Sequence, residues 1–416
     1  MFKGRRITVF IIVIMIMTSC GSNALEELND QGYSQYREGL FSEAIATFTE
    51  GIEMNSEYTD FYTNRGMAYY ETGDAEAALK DLDKAISMEK WLPEAYVNRG
   101  TVYLGMGRYD EALEDFYEAI RQKDHFDEEL GLYYTYLNLG TLLNKIGQYD
   151  ESLIVFEKAL NEYDMDPALY NSLGLLNRVT ENYEEAIDNF NSALNLNQDY
   201  AFAYGNRASI FYLQGKYDIA LSDVNTALAL DRYIPQFYDL KAKIHHVLED
   251  YNALEATVEE GLSIWPSYSE LYMDLGNAYM KQDRYTDALM QFGLAVQYEN
   301  YEGYLSQAIA YRMIHDYEGA LGVLEAYLYY NPESIQAKME QGISFQATDA
   351  HEEAISAYEV VLELSPTTDD AKYYMALSYE KLGDYSKAKT LLEEVIENDP
   401  EHEEAIKELL FLEEHY

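Results

Sequence analysis

Apolar, small and polar positions recur along this chain with a period of 34 residues, and the phase holds from residue 25 to residue 402. The stretch Tyr62-Thr63-Asn64-Arg65-Gly66 returns as Tyr96-Val97-Asn98-Arg99-Gly100, Tyr136-Leu137-Asn138-Leu139-Gly140 and Tyr204-Gly205-Asn206-Arg207-Ala208. With this glycine or alanine numbered eighth, the eighth position reads Gly32, Gly66, Gly100, Gly140, Gly174, Ala208, Ala242, Gly276, Ala308, Gly342 and Ala376. The twentieth is alanine in nine of the eleven repeats, with Ser152 and Leu254 as exceptions. A period in this range predicts an array of stacked helix pairs. Small residues at positions 8 and 20 let the two helices of a pair approach closely, and large ones at positions 4, 11, 17 and 24 fill the space around that contact.

Punctuation follows the same register. Gly39, Gly73, Gly107, Gly147, Gly215 and Gly383 fall at position 15, where a left-handed residue closes the first helix of a pair. All seven prolines fall at position 1 or position 32, in the first turn of a helix or just past its end. The repeats run 25–58, 59–92, 93–126, 133–166, 167–200, 201–234, 235–268, 269–300, 301–334, 335–368 and 369–402. Six extra residues, Asp127 to Leu132, precede the fourth, and the eighth is short by two. Residues 403–416 read as a capping helix with a polar face.

The pattern resembles the tetratricopeptide repeat. That resemblance implies an all-α fold, a right-handed α-solenoid of about eleven helix-turn-helix repeats. It also implies a concave groove lined by first-helix positions 2, 5, 6, 9, 12 and 13, which receives an extended or helical segment of a partner protein.

The N-terminus stands apart. Lys3, Arg5 and Arg6 precede an apolar stretch, Ile7 to Met17, that is too short for a permanent spanning helix. It ends in Met17-Thr18-Ser19-Cys20-Gly21, which resembles the lipobox of bacterial lipoproteins, although leucine is usual where Met17 stands. The resemblance implies a signal peptide at 1–19, acylation of Cys20, a linker at 20–24, and a lipid-anchored protein outside the cytoplasm, on the cell membrane or outer membrane. Cys20 is the only cysteine, so no intramolecular disulfide forms.

Composition removes several functions. Asp and Glu number 75 against 29 Lys and Arg, a formal net charge of −46, which argues against nucleic-acid binding. Positions 4, 11 and 17 alone hold 21 of the 42 tyrosines, so most of the aromatic excess is framework. The repeats leave no room for a catalytic domain. The seven histidines show no zinc-helix spacing, and no glycine-rich phosphate loop occurs. An enzyme, a metal site and a cofactor are therefore not expected.

Candidate binding residues lie on the groove positions. Asn64, Asn98, Asn138 and Asn206, all at position 6, either hydrogen-bond a partner's backbone or pair with the neighbouring repeat. In repeats four to seven Asp239 is the only groove acid, facing Lys145, Arg178, Lys243 and His246, with Leu137 among the apolar residues around them. This weakly basic, apolar stretch predicts a partner segment with apolar anchors and some negative charge. The function expected is a non-catalytic, membrane-anchored protein-interaction scaffold of the bacterial cell envelope. The alternative is an envelope polysaccharide-binding lipoprotein, with Tyr36, Tyr70, Tyr134, Phe202 and Tyr212 stacking on sugar rings.

Overall fold

The computed structural model describes residues 24–126, 129–163 and 166–416, and the side chains of all of these except residues 129 and 130. Cys20 and the expected signal peptide lie outside the described residues. Among the described residues every regular element is helical, in eleven successive pairs and one last helix, Glu403–His415. No helix among them is long and apolar enough to cross a membrane. The chain divides into two compact units after Ile210, inside the first helix of the sixth repeat, Ala201–Leu213.

Within a pair, position 8 faces position 24. A Cβ added to Gly32, Gly140, Gly174 or Gly276 would run into the ring of Phe48, Phe156, Phe190 or Phe292 of the same repeat, and one added to Gly100 would lie 2.9 Å from the Phe116 ring. Those phenylalanines are fully or almost fully buried, as are the alanines at position 20. Ser152, one of the two exceptions there, donates from Oγ to the Gly140 carbonyl at 2.7 Å, so its hydroxyl is satisfied inside the contact.

The turn inside each pair is more uniform than the glycines suggest. Position 15 has a positive φ in all eleven repeats: six glycines between 71° and 85°, and Glu181, Glu249, Asp283, His315 and Asp349 between 57° and 64°. The flanking bonds form a Schellman motif. In repeat five, for example, Glu181 N–H reaches the Arg178 carbonyl at 3.2 Å and Asn182 N–H the Asn177 carbonyl at 2.8 Å.

Departures from register have local consequences. Part of the insertion before repeat four extends its first helix, Glu129–Lys145, to 17 residues. The shortened repeat eight ends in left-handed Glu299, and Gly303 then comes so close to the preceding helix that a Cβ would lie 2.7 Å from the Phe292 carbonyl oxygen. Only glycine fits that junction without a shift. The last helix buries Ala405 and Leu412 on the core of repeat eleven, beside Ala388, Leu392 and Val395.

Candidate functional site

Each unit carries a concavity lined by successive first helices. In the first unit, repeats one to four enclose about 850 Å³ among Tyr33, Tyr36, Asn64, Glu94, Asn98, Tyr134 and Asn138 and their neighbours. Tyr134 is half exposed, and Tyr36 donates to Glu71 at 3.3 Å. Burial and that carboxylate push the Tyr36 hydroxyl up to about 12, so it stays a donor at neutral pH.

The position-6 asparagines mainly serve the array. Asn64 donates to Asn29 at 3.0 Å, Asn206 to Asn171 at 2.8 Å and Asn138 to Thr101 at 3.4 Å, in each case on the preceding repeat. Asn29 and Asn171 occupy position 5, so position 6 of one helix reads position 5 of the helix before it, 35 residues back. Asn64, Asn98 and Asn138 also line the first concavity, whereas Asn206 lines neither of the two.

The same register carries a different chemistry in the second unit. There, position 6 of repeat eight is Asp274 and position 5 of repeat seven is Asp239, and the two carboxyls hydrogen-bond each other. A cavity of about 420 Å³ opens beside Asp274, which lines it together with Tyr212, Lys243, His246, Met280, Lys281 and Ile309. The Lys243 ammonium lies 2.7 Å from Asp239 Oδ1 and 2.8 Å from its Oδ2. Burial works against the Lys243 charge, but the Asp239 carboxylate outweighs it and holds the ammonium above its usual range. Asp274 is only 9% exposed, and its Oδ2 and Asp239 Oδ1 are both sealed from solvent. Burial, then the neighbouring Asp239 charge, raise the Asp274 carboxyl to about 8. His246 moves down through burial and then Lys281, and therefore stays neutral at pH 7.

Of the expected groove residues, Lys243 and His246 line this cavity, Lys243 pairs with the expected acid Asp239, and repeat eight adds Asp274 and Lys281. Of the other expected groove residues, Lys145 sits 5.6 Å over the Tyr109 ring, Arg178 and Leu137 are half-buried, and Phe202 is half exposed beside Tyr200. None of these four lines either cavity. His245 is buried at its core position, and its pKa moves down by burial and then by Lys241.

Two buried ion pairs went unread in the sequence. Arg65 meets Asp81 at 2.6 and 2.9 Å, and Arg99 meets Asp115 at 2.8 and 2.7 Å, each a bidentate pair between positions 7 and 23 of one repeat. The signal was present as an arginine and an aspartate 16 residues apart in consecutive repeats. These pairs tie the helices of a pair together and face neither cavity.

Tetratricopeptide repeat models match residues 29–91, 137–203, 252–304 and 305–368, and related models of the same repeat match 91–163 and 346–410. The chain belongs to the tetratricopeptide repeat family. Solved structures similar to it include yeast Tom70, at 16% identity over 94% of this chain and 95% of that one, with a TM-score of 0.45. The Cut9–Hcn1 hetero-tetramer of the APC/C is 12% identical over 88% and 98%, with a TM-score of 0.47. YrrB, described as a TPR protein with an unusual peptide-binding site, is 24% identical over 44% of this chain and 92% of its own, with a TM-score of 0.35. No curated protein matches the chain.

Proposed function

We propose that this protein is a non-catalytic interaction scaffold of the bacterial cell envelope, held to the membrane by a lipid on Cys20, which grips segments of partner proteins in its first-helix concavities. The observation that carries the reading is the concavity of repeats one to four, where three amides at position 6 and exposed or half-buried tyrosines line one continuous space on four successive helices. Amides and tyrosines suit backbone recognition with apolar anchoring. More than one acyl chain on Cys20 gives the stable anchoring that a single chain does not.

A glycan-binding reading has one observation of its own. Tyr301 and Tyr330 stack at 4.4 Å with rings nearly parallel, and Tyr329, 82% exposed, packs edge-on to Tyr330. Such a platform offers ring faces to sugars. Two experiments separate the readings. Crosslinking and capture from membranes, with the lipidated chain as bait, yields defined protein partners under the scaffold reading, while an envelope-glycan array yields specific binding only under the other. Cys20→Ala should release the chain from membranes or leave it unprocessed; an unmodified Cys20 in the membrane-bound protein overturns the anchor.

A further inference from the structure

The cavity of repeats seven to nine holds donors that the rest of the chain does not use. The Lys281 ammonium, the Asn277 amide and the Ser306 and Tyr212 hydroxyls all line it, and none of them makes a hydrogen bond or ion pair among the described residues. Its acids, by contrast, are engaged. Asp274 and Asp239 hydrogen-bond each other and so share one proton, which leaves the pair a single negative charge, and the Lys243 ammonium offsets that charge from 2.7 Å. Lys243, a groove cation expected from the sequence, is therefore taken. Lys281 is the charge on the lining that keeps no counter-ion among the described residues. The lining also has apolar ground in Val247, Met280 and Ile309. Lys281 stands at position 13 of repeat eight, and the same position holds exposed Val247 in repeat seven and exposed Met313 in repeat nine, so an apolar side chain flanks the ammonium on either side.

We propose that this cavity receives an aspartate or glutamate side chain of a partner segment, with Lys281 as its counter-ion and Asn277 and Ser306 as neutral donors. The inference deepens the scaffold reading and rests on it. An ionised carboxylate only accepts, at about four lone-pair sites, which suits a lining with several unused donors and one uncompensated ammonium. A cation has no such match, because Lys281 repels it and both carboxyls already have partners. The acid lies inside the segment and not at its C-terminus, since apolar ground continues on both sides of Lys281. Neighbouring helices pack about 8–10 Å apart, and three residues of a polyproline-type chain advance about 9 Å. Apolar side chains three residues before and three after the acid therefore reach Val247 and Met313. The chain's overall charge of −46 repels acids at long range, so an acid that binds is held by short-range contacts, and the selection is made inside the cavity.

The test uses the full chain and fluorescein-labelled, C-terminally amidated nonapeptides with leucine at the second and eighth places and Glu, Asp, Gln or Lys at the fifth, read by anisotropy. The Glu and Asp peptides should bind at least fivefold more tightly than the Gln peptide. Lys281→Met should abolish that preference, and Asn277→Ala with Ser306→Ala should reduce it. Lys281→Glu should reverse it in favour of the Lys peptide, a gain that misfolding cannot produce. Equal binding of the Glu and Gln peptides, a Glu preference untouched by Lys281→Met, or no reversal in Lys281→Glu overturns the site. So does tighter binding of a peptide whose acid is a free C-terminal carboxylate, or binding of acetate alone with no discrimination among the peptides. If the acidic peptides fail but membrane crosslinking still yields protein partners, the acid site is wrong and the scaffold stands; if the peptides bind but no partner is ever crosslinked, the scaffold reading is the one that fails.

Discussion

Replacing Glu181 or Glu249 with glycine should stabilise the protein although neither change adds a contact. Both residues hold φ near 60° at position 15, where six other repeats have glycine. A side chain in the left-handed region costs about 1–2 kcal/mol, and glycine gives back about 0.4–1 kcal/mol through the greater freedom of the unfolded chain. The net gain is about 0.5–1 kcal/mol per site. Asp283 and His315 are poorer choices, since each also bonds a tyrosine two residues on, at 2.7 and 3.0 Å, and would lose that bond. The reverse change isolates the same term: a Cβ on Gly107 meets nothing within 4 Å, so Gly107→Ala pays only for its φ of 74°, about 1 kcal/mol. Because each repeat contacts mainly its neighbours, a single global midpoint would dilute the effect, and native-state hydrogen exchange of the helices flanking the altered turn is the proper assay. Protection there should rise roughly two- to fivefold in Glu181→Gly and Glu249→Gly and fall about fivefold in Gly107→Ala. Lowered protection in both glycine variants, or an unchanged Gly107→Ala, would refute a backbone origin for the position-15 pattern.

Three further outcomes follow from the packing and the charges. Gly100→Leu forces a side chain against the Phe116 ring and Asp115 and should cost about 1–3 kcal/mol, seen as lost cooperativity or a lower urea midpoint, while a neutral result would mean the helices can part freely. Asp115→Ala strands Arg99, 19% exposed at its side chain, with only Asp83 as partner, and should cost about 3 kcal/mol, whereas Asp83→Ala, removing the exposed partner, should cost under about 1 kcal/mol. Asp274 has a folded pKa raised above its unfolded value, so the native state holds its proton where the unfolded chain has lost it, and stability falls as pH rises from about 4 to about 8. Local exchange in repeats seven and eight should follow that slope in the wild type and lose part of it in Asp274→Asn.

What the sequence revealed and what it hid divide along a physical line. Positions 8, 20 and 24 were legible because a close helix contact admits few residue types, so Gly100 and Phe116, or Gly174 and Phe190, return in register. The turn at position 15 was legible where glycine marks it and hidden where Glu181 or Asp349 bears the strain, since an acid on the surface looks like solvation. The Arg99–Asp115 pair was readable as a fixed 16-residue spacing between opposite charges. Asp274 was not readable. Its surroundings come from helices on either side, Asp239 and Lys243 from one repeat and Ser306 and Ile309 from another, and a count of groove charges that stops at repeat seven leaves out both Asp274 and Lys281.

The scaffold claim is tested most directly by placing a photocrosslinking residue in the lipidated chain, in its native membrane, at Asn98 and Tyr134 within the first concavity, and at exposed Glu114 on the second helix of repeat three. The account predicts discrete protein adducts from Asn98 and Tyr134 and none of the same adducts from Glu114. Equal adducts from all three positions, or glycan adducts from the concavity with no protein, would contradict it.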